Sequence, residues 1–358
     1  MQALPITRLA DLGRLALSYG VPIEDALLIA INLCGISSDQ NRHRARVTVG
    51  LTSAPDVPWQ VIVPLNNLDS PFTLAGEDLH LGTDLVAHVS RVDADEAVGG
   101  YFRDGGRAAT LNPNGRSRCI GCAFCPNTLE AAADPRLSEE QELGELLSAM
   151  AEQHPRRDLR ELTEVTVSTG CFDREDAAVA HLVSLRKVLS EHGITARVGF
   201  LTSVVQTDGA FEALADAVAP FVLRLTAECF TRRDLLLKAS KARLEHHQMP
   251  DLLRRARRAG LGTSFTYIVG LDPLEQLRAG ITDLAEHISD FPNLQVYQAH
   301  NSIMAGLRVP DADQLEFYLR ARVEIERILG SSGLRPLAWE CYRPLWHFTF
   351  AGEDLMSA

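Results

Sequence analysis

The sequence predicts an α/β protein: a full or partial parallel (β/α) TIM-like barrel behind a small N-terminal α+β appendage. Three observations predict it. Short apolar runs alternate with amphipathic helical stretches from about residue 105 to 329. The first hundred residues have another rhythm, helix and then closely spaced strands. The chain has 358 residues, 46% hydrophobic and 23% charged, with 25 Gly and 17 Pro. Those are globular proportions, large enough for one sizeable core without disulfide staples.

In chain order, residues 7–33 repeat Leu9, Leu12, Leu15, Leu27, Leu28 and Ile31 at helical spacing. Residues 44–92 read as strands (RARVTVGL, PWQVIVPL, PFTLAGEDLHLG, DLVAHVSRV) divided by Pro, Asn, Asp and Gly. Residues 1–104 are therefore assigned to the appendage. The barrel, 105–329, is expected to contain strands at 164–168 (EVTVS), 196–201 (ARVGFL), 221–226 (FVLRLT), 263–269 (TSFTYIV) and 294–297 (LQVY). Helices are expected at 176–192, 211–218, 231–238, 250–259, 274–289 and 313–329. Gly193, Gly260 and Gly333 follow helical patterns, where a left-handed cap belongs. Residues 330–358 form an aromatic-rich tail expected to pack on the barrel. No Gly-x-Gly-x-x-Gly follows an early strand and no Walker loop is present, which argues against the usual nucleotide folds.

The net charge of −12 argues against a phosphate-backbone partner. The run Arg254, Arg255, Arg257 and Arg258 reads as a solvated helix face. The apolar run at 26–34 is far short of a membrane span, and the first twenty residues carry Arg8, Asp11 and Arg14 instead of a secretory apolar stretch. A soluble, cytoplasmic protein with neither nucleic-acid nor membrane partners is expected.

Seven cysteines stand at 34, 119, 122, 125, 171, 229 and 341. Three fall within seven residues, in RSRCIGCAFCPNTLE, and the other four are scattered. That pattern points to a reducing compartment and a metal-type cluster. Cys119, Cys122 and Cys125 form C-x2-C-x2-C. Thiolates so spaced in a tight loop can ligate neighbouring irons of one cubane. The fourth cysteine of a ferredoxin run is absent, since position 129 is Leu. A structural zinc site needs four closed ligands, usually as two separated pairs, and fits poorly. An iron–sulfur cluster with one iron open to an exogenous ligand fits better.

A three-cysteine loop at the start of a parallel β/α barrel resembles the radical S-adenosylmethionine (radical SAM) superfamily, whose common spacing has one more residue between the first pair. Phe124 matches the aromatic or apolar residue usual before the third cysteine. The resemblance implies a [4Fe–4S] cluster whose open iron binds SAM. Reductive cleavage then yields a 5′-deoxyadenosyl radical that abstracts hydrogen from a substrate. It further implies that Thr169 and Gly170, after EVTVS, lie by the SAM amino group, and that Glu228, after LRLT, binds the ribose. Lys241 or Arg243 would pair with the methionine carboxylate, and Ile268 to Gly270 would flank the adenine. The barrel is distantly similar to biotin synthase-like members. At the strand positions that hold their second cluster stand Ser168, Val198 and Ser264, so sulfur insertion of that type is not expected.

Parallel barrels build their sites at the C-terminal strand ends. Gln295, Tyr297, Gln298, His300 and Asn301 fall there and are expected to face a small polar substrate, with Arg343 of the WECYRPLWHF tail. The alternative is that His300 and Asn301 cap the following loop and the tail aromatics are structural. Catalytic candidates are Cys171, Cys229, Tyr297 and His300. The expected function is a radical SAM enzyme of biosynthetic metabolism, supplied with single electrons by an external flavodoxin- or ferredoxin-type reductant. The appendage, leading into the cluster loop, would act as a lid. The competing reading is an iron–sulfur or zinc protein for electron transfer or structure, with Cys171 or Cys229 as fourth ligand.

Overall fold

The structure, a computed structural model, describes residues 6–40, 44–65, 69–94, 101–111, 121–125, 140–168, 172, 174–337, 339–341 and 343–356. The chain divides into two compact units. One comprises Met1–Asp95, Ile268–Thr282 and Asn293–Ala358; the other comprises Glu96–Tyr267 and Asp283–Pro292.

The first unit opens with α1 (Leu9–Ser18) and α2 (Ile23–Cys34), bent by 113° at a break containing Gly20 and Pro22. Every residue of α2 from Asp25 to Leu33 is buried, so it is a core helix, apolar almost all round. Five strands follow: β1 (Arg44–Leu51), β2 (Ala54–Pro64), β3 (Phe72–Ala75), β4 (Asp78–Leu81) and β5 (Asp84–Ala94). They pair antiparallel in the order β2-β1-β5-β4-β3. Strict alternation in β1 buries Ala45, Val47, Val49 and Leu51.

The second sheet begins with β6 (Tyr101–Arg103) and β7 (Ala108–Leu111). It continues with α3 (Glu140–Gln153), β8 (Glu164–Val167), α4 (Glu175–Glu191), β9 (Arg197–Thr202), α5 (Asp208–Ala217) and β10 (Phe221–Glu228). Two short helices, α6 (Arg233–Leu236) and α7 (Ala239–Ala242), precede α8 (Met249–Arg258), β11 (Gly262–Val269), α9 (Leu274–Ala285) and β12 (Asn293–Val296). Strand order is β12-β11-β10-β9-β8-β7-β6. Pairing is parallel from β7 to β11, and β6 is antiparallel to β7. Parallel strands require crossovers, which α4, α5 and α8 supply. The sheet has two edges, so of the full and partial barrels expected it is the partial one. Among the described residues no strand closes it.

Paired residues of parallel strands share a face. One face carries Val165, Val167, Val198, Phe200, Leu223, Leu225, Phe265 and Tyr267. The opposite face carries Glu164, Thr166, Arg224, Thr226, Ser264 and Thr266, all polar and, apart from the partly exposed Thr166, buried. A parallel sheet buried on both sides normally reads apolar on both. Here ion pairing makes polarity tenable: Arg224 and Arg197 each donate to a Glu164 carboxylate oxygen at 2.7 Å, and the Thr166 hydroxyl donates at 2.9 Å. Burial alone would raise the Glu164 pKa, but the two guanidinium groups hold it lowered. Gly199 makes the reach possible, since a Cβ there would lie 2.8 Å from Arg224 Nε. The Arg254–Arg258 run sits on α8, where Arg254 and Arg255 pair with Asp251 and Arg255 also with Asp208, as a solvated face should.

The first unit is completed by α10 (Ser302–Ala305), α11 (Leu315–Leu329), β13 (Thr349–Phe350) and β14 (Glu353–Asp354). Its tail is tied down by Asp25 on α2, whose carboxylate accepts from the backbone N–H groups of His347, Phe348 and Thr349 at 2.7, 3.0 and 3.2 Å and lies 2.8 Å from Arg322 of α11. Burial would raise the Asp25 pKa, but His347, Arg322 and these N–H groups bring it down to about 2. Trp346, also buried, donates to Glu326 at 2.8 Å. No single helix is long and apolar enough to cross a membrane among the described residues.

Candidate functional site

The described part of the cysteine triplet, residues 121–125, is a tight turn closed by the Cys125 N–H donating to the Cys122 carbonyl at 3.2 Å. Cys119 lies outside the described residues. Cys122 and Phe124 are each 8% exposed. The turn is seated on the loop that follows β10. The Ala123 N–H donates to the Leu236 carbonyl at 2.9 Å, and the Lys238 main-chain N–H donates to Cys122 Sγ at 3.4 Å. Gly121 permits this approach: its φ is +108°, and a Cβ there would meet Lys238 Cβ at 3.0 Å.

The loop has its own internal support. Arg233, 7% exposed, donates to four main-chain carbonyls: Leu244 at 3.1 Å, Cys229 at 2.6 Å, Lys241 at 3.0 Å, and Ala227. One guanidinium thus fixes both ends of an 18-residue stretch, 227–244. At its start β10 bulges, since Thr226 pairs with Thr266 and Glu228 with Tyr267, so Ala227 is the extra residue. Glu228 takes φ +62° and Arg232 φ +51°, left-handed conformations that cost non-glycine residues about 1 kcal/mol or more each. The bulge re-aims Glu228, whose carboxylate pairs with Lys241 Nζ at 2.8 Å, each side chain 12% exposed.

No family model matches the chain, and neither does any curated protein. Among solved structures it resembles Streptococcus suis SuiB bound to S-adenosylmethionine, at 12% identity and TM-score 0.40, over 55% of this chain and 42% of that one. It also resembles the FeFe-hydrogenase maturase HydG from Carboxydothermus hydrogenoformans, at 18% identity and TM-score 0.41, over 63% and 53%. A third likeness is to the radical S-adenosylmethionine methyltransferase TsrM from Kitasatospora setae, with cobalamin and a [4Fe-4S] cluster bound, at 15% identity and TM-score 0.37, over 55% and 37%. The chain spans roughly half or less of the length of each.

The sequence-nominated residues divide as follows. Cys122, Phe124, Cys125, Glu228, Cys229, Lys241 and Arg243 lie on the turn and on the loop after β10. Cys229 is fully buried there. Thr169, Gly170 and Cys171 fall outside the described residues. Ile268 is buried at the end of β11, and Gly270 has φ +112°.

The substrate candidates lie in the first unit, where most are engaged in holding the fold. The Tyr297 hydroxyl donates to the Met304 carbonyl at 2.9 Å, and the Gln298 amide donates to the Ile62 carbonyl at 2.7 Å. Asn301 caps α10, accepting from the Met304 N–H at 2.8 Å. Gln295 accepts from Arg343 at 2.6 Å, and His300 is partly exposed. Arg233 and the Lys238 amide are the participants sequence reasoning missed. The signal available was a charged residue inside an apolar stretch, CFTRRDLLL, shortly after a predicted strand end.

Proposed function

We propose that the chain is a radical SAM enzyme in which Cys119, Cys122 and Cys125 hold three irons of a [4Fe–4S] cluster. The observation that carries this reading is the seating of the cysteine turn on the loop after β10, with Cys122 Sγ accepting a main-chain N–H. That fits a cluster: its sulfur ligands carry negative charge, and N–H donors around them are part of such sites. When bound, the cluster supplies the electron that cleaves SAM and so generates an organic radical. The residues of this chain bind and orient. Glu228 offers a carboxylate acceptor for vicinal hydroxyls, and Lys241 offers a cation for a carboxylate. At 12% exposure both act in a largely dry setting, where each contact is stronger than in water. Both roles require the Glu228–Lys241 pair to open or be shared. This reading also assigns Thr169, Gly170, Arg243, Ile268 and Gly270 to SAM, together with Phe124 of the turn. The substrate would be a small polar molecule, for which His300, Gln295 and Arg343 are the candidate contacts of this reading, with an external one-electron reductant as partner.

The test is anaerobic reconstitution with iron and sulfide, reduction with dithionite, addition of SAM, and mass spectrometry for 5′-deoxyadenosine. Product that disappears in Cys122→Ala is the expected result. A cluster whose spectrum ignores SAM, with no product and with iron lost in Cys171→Ala or Cys229→Ala, would instead establish a four-cysteine site.

A further inference from the structure

We infer that the main-chain N–H of Lys238, held in place by Arg233, tunes the reduction potential of the metal centre that Cys122 ligates. This rests on the reading of the cysteine triplet given above and goes beyond it, because neither residue belongs to the set that binds metal or SAM.

Three observations carry the inference. The Lys238 N–H donates to Cys122 Sγ at 3.4 Å. Lys238 is the N-cap of α7, and an N-cap amide has no acceptor within its own helix, so the sulfur is the acceptor the fold provides. The loop carrying this donor is fixed by a buried guanidinium on four carbonyls, from Ala227 to Leu244. A donor mounted so firmly stays at the sulfur in both redox states, and the change of charge on the sulfur makes its effect differential. An N–H···S bond strengthens as the sulfur becomes more negative, so it stabilises the reduced centre more than the oxidised one and raises the potential. Arg233 is a positioning residue: it acts through the loop and touches no reacting atom.

The local backbone accepts a proline by its dihedral angles, but the ring Cδ takes the place of the donated hydrogen and crowds Cys122 Sγ, so the turn must shift there. Lys238 has φ −61°, the value proline imposes, and Leu237 is extended at φ −106°, ψ 150°, as a residue before proline must be. Lys238→Pro removes one N–H and the side chain but sets the ring against Cys122 Sγ. Lys238→Ala removes the side chain alone, and Arg233→Lys loosens the donor's mounting without crowding the sulfur. Full-length parent and both Lys238 variants are reconstituted, assayed for iron and sulfide, and titrated redox-potentiometrically by electron paramagnetic resonance. The expected result is equal iron in all three. At the parent midpoint, the reduced-to-oxidised ratio should fall about five- to tenfold in Lys238→Pro only, in keeping with the loss of one hydrogen bond to a charged acceptor. Coincident titrations of Lys238→Pro and parent would overturn the inference. If Lys238→Pro does not take up iron, Arg233→Lys decides. It keeps the charge but not the four-carbonyl fork, and it must shift in the same direction; titration with the parent refutes tuning. A parent that binds no cluster refutes the reading of the triplet and the inference with it, a result distinct from an unshifted potential.

Discussion

The loop after β10 and the segment after β12 were nominated by the same sequence logic, polar residues following a strand, and they use those residues in opposite ways. After β12 the hydrogen bonds run inward to the fold: Tyr297 to Met304, Gln298 to Ile62, Asn301 to its own helix. After β10 a single buried arginine satisfies four main-chain carbonyls, while Glu228 pairs with Lys241 and the Lys238 amide donates to Cys122. A polar residue beyond a strand is thus free for chemistry only when something else has satisfied the backbone around it.

The contrast can be attacked first where the effect is largest. Asp25→Ala leaves three buried N–H groups in the first unit without their acceptor and takes one of two carboxylates from the buried Arg322, which keeps Glu326. It should cost about 3 kcal/mol in denaturant unfolding while iron per folded molecule stays at the parent value. A matching fall in iron would show that the division of labour is not real.

Acid separates the two units next. His181 of α4 is pushed down to about 4 from 6.5 by burial. Among the described residues neither of its ring nitrogens has a hydrogen-bond partner, and its ring lies against Phe172. The unfolded chain takes up this proton below pH 6.5 and the folded chain only near 4. Stability is therefore present above 6.5 and is lost as pH falls to 4, by 6.5 − 4 = 2.5 units, or about 3 kcal/mol. Asp25, lowered from 3.8 to about 2, contributes stability that is lost only below pH 3.8. Unfolding free energies measured from pH 7 to 3 should show the first slope disappear in His181→Leu and the second persist.

The smallest effect is the most discriminating. Tyr297→Phe should lower stability by about 1 kcal/mol and leave 5′-deoxyadenosine formation within about twofold of the parent. A large loss of product with unchanged stability would return Tyr297 to the chemistry.

The β/α rhythm was legible because it rests on local pattern. The predicted strand 221–226 is observed as Phe221–Glu228 and the predicted helix 176–192 as Glu175–Glu191. Gly193, Gly260 and Gly333 take positive φ as their positions after helices required. The predicted helix 231–238 shrinks to Arg233–Leu236 because Arg233 draws the flanking carbonyls onto its side chain. β6 and β7 were not foreseen, since YFR and AATL are too short to show a period. Of the candidate site, the cysteines announced themselves by spacing. The Arg233 fork and the Lys238 amide did not, because a main-chain donor has no residue type and a four-carbonyl contact is set by tertiary geometry.

The Asp25 anchor also bears on the order in which the molecule can be made. The N–H groups that satisfy Asp25 belong to 347–349, so they leave the ribosome 322 to 324 residues after it. The second unit lies within residues 96–292, whereas the first is assembled from segments on both sides of it. During synthesis the seven-stranded sheet is complete once β12 has been made, while the Asp25 carboxylate on α2 still waits for N–H partners made 322 to 324 residues after it. Until Thr349 has emerged, that carboxylate lacks the acceptor role the finished fold gives it.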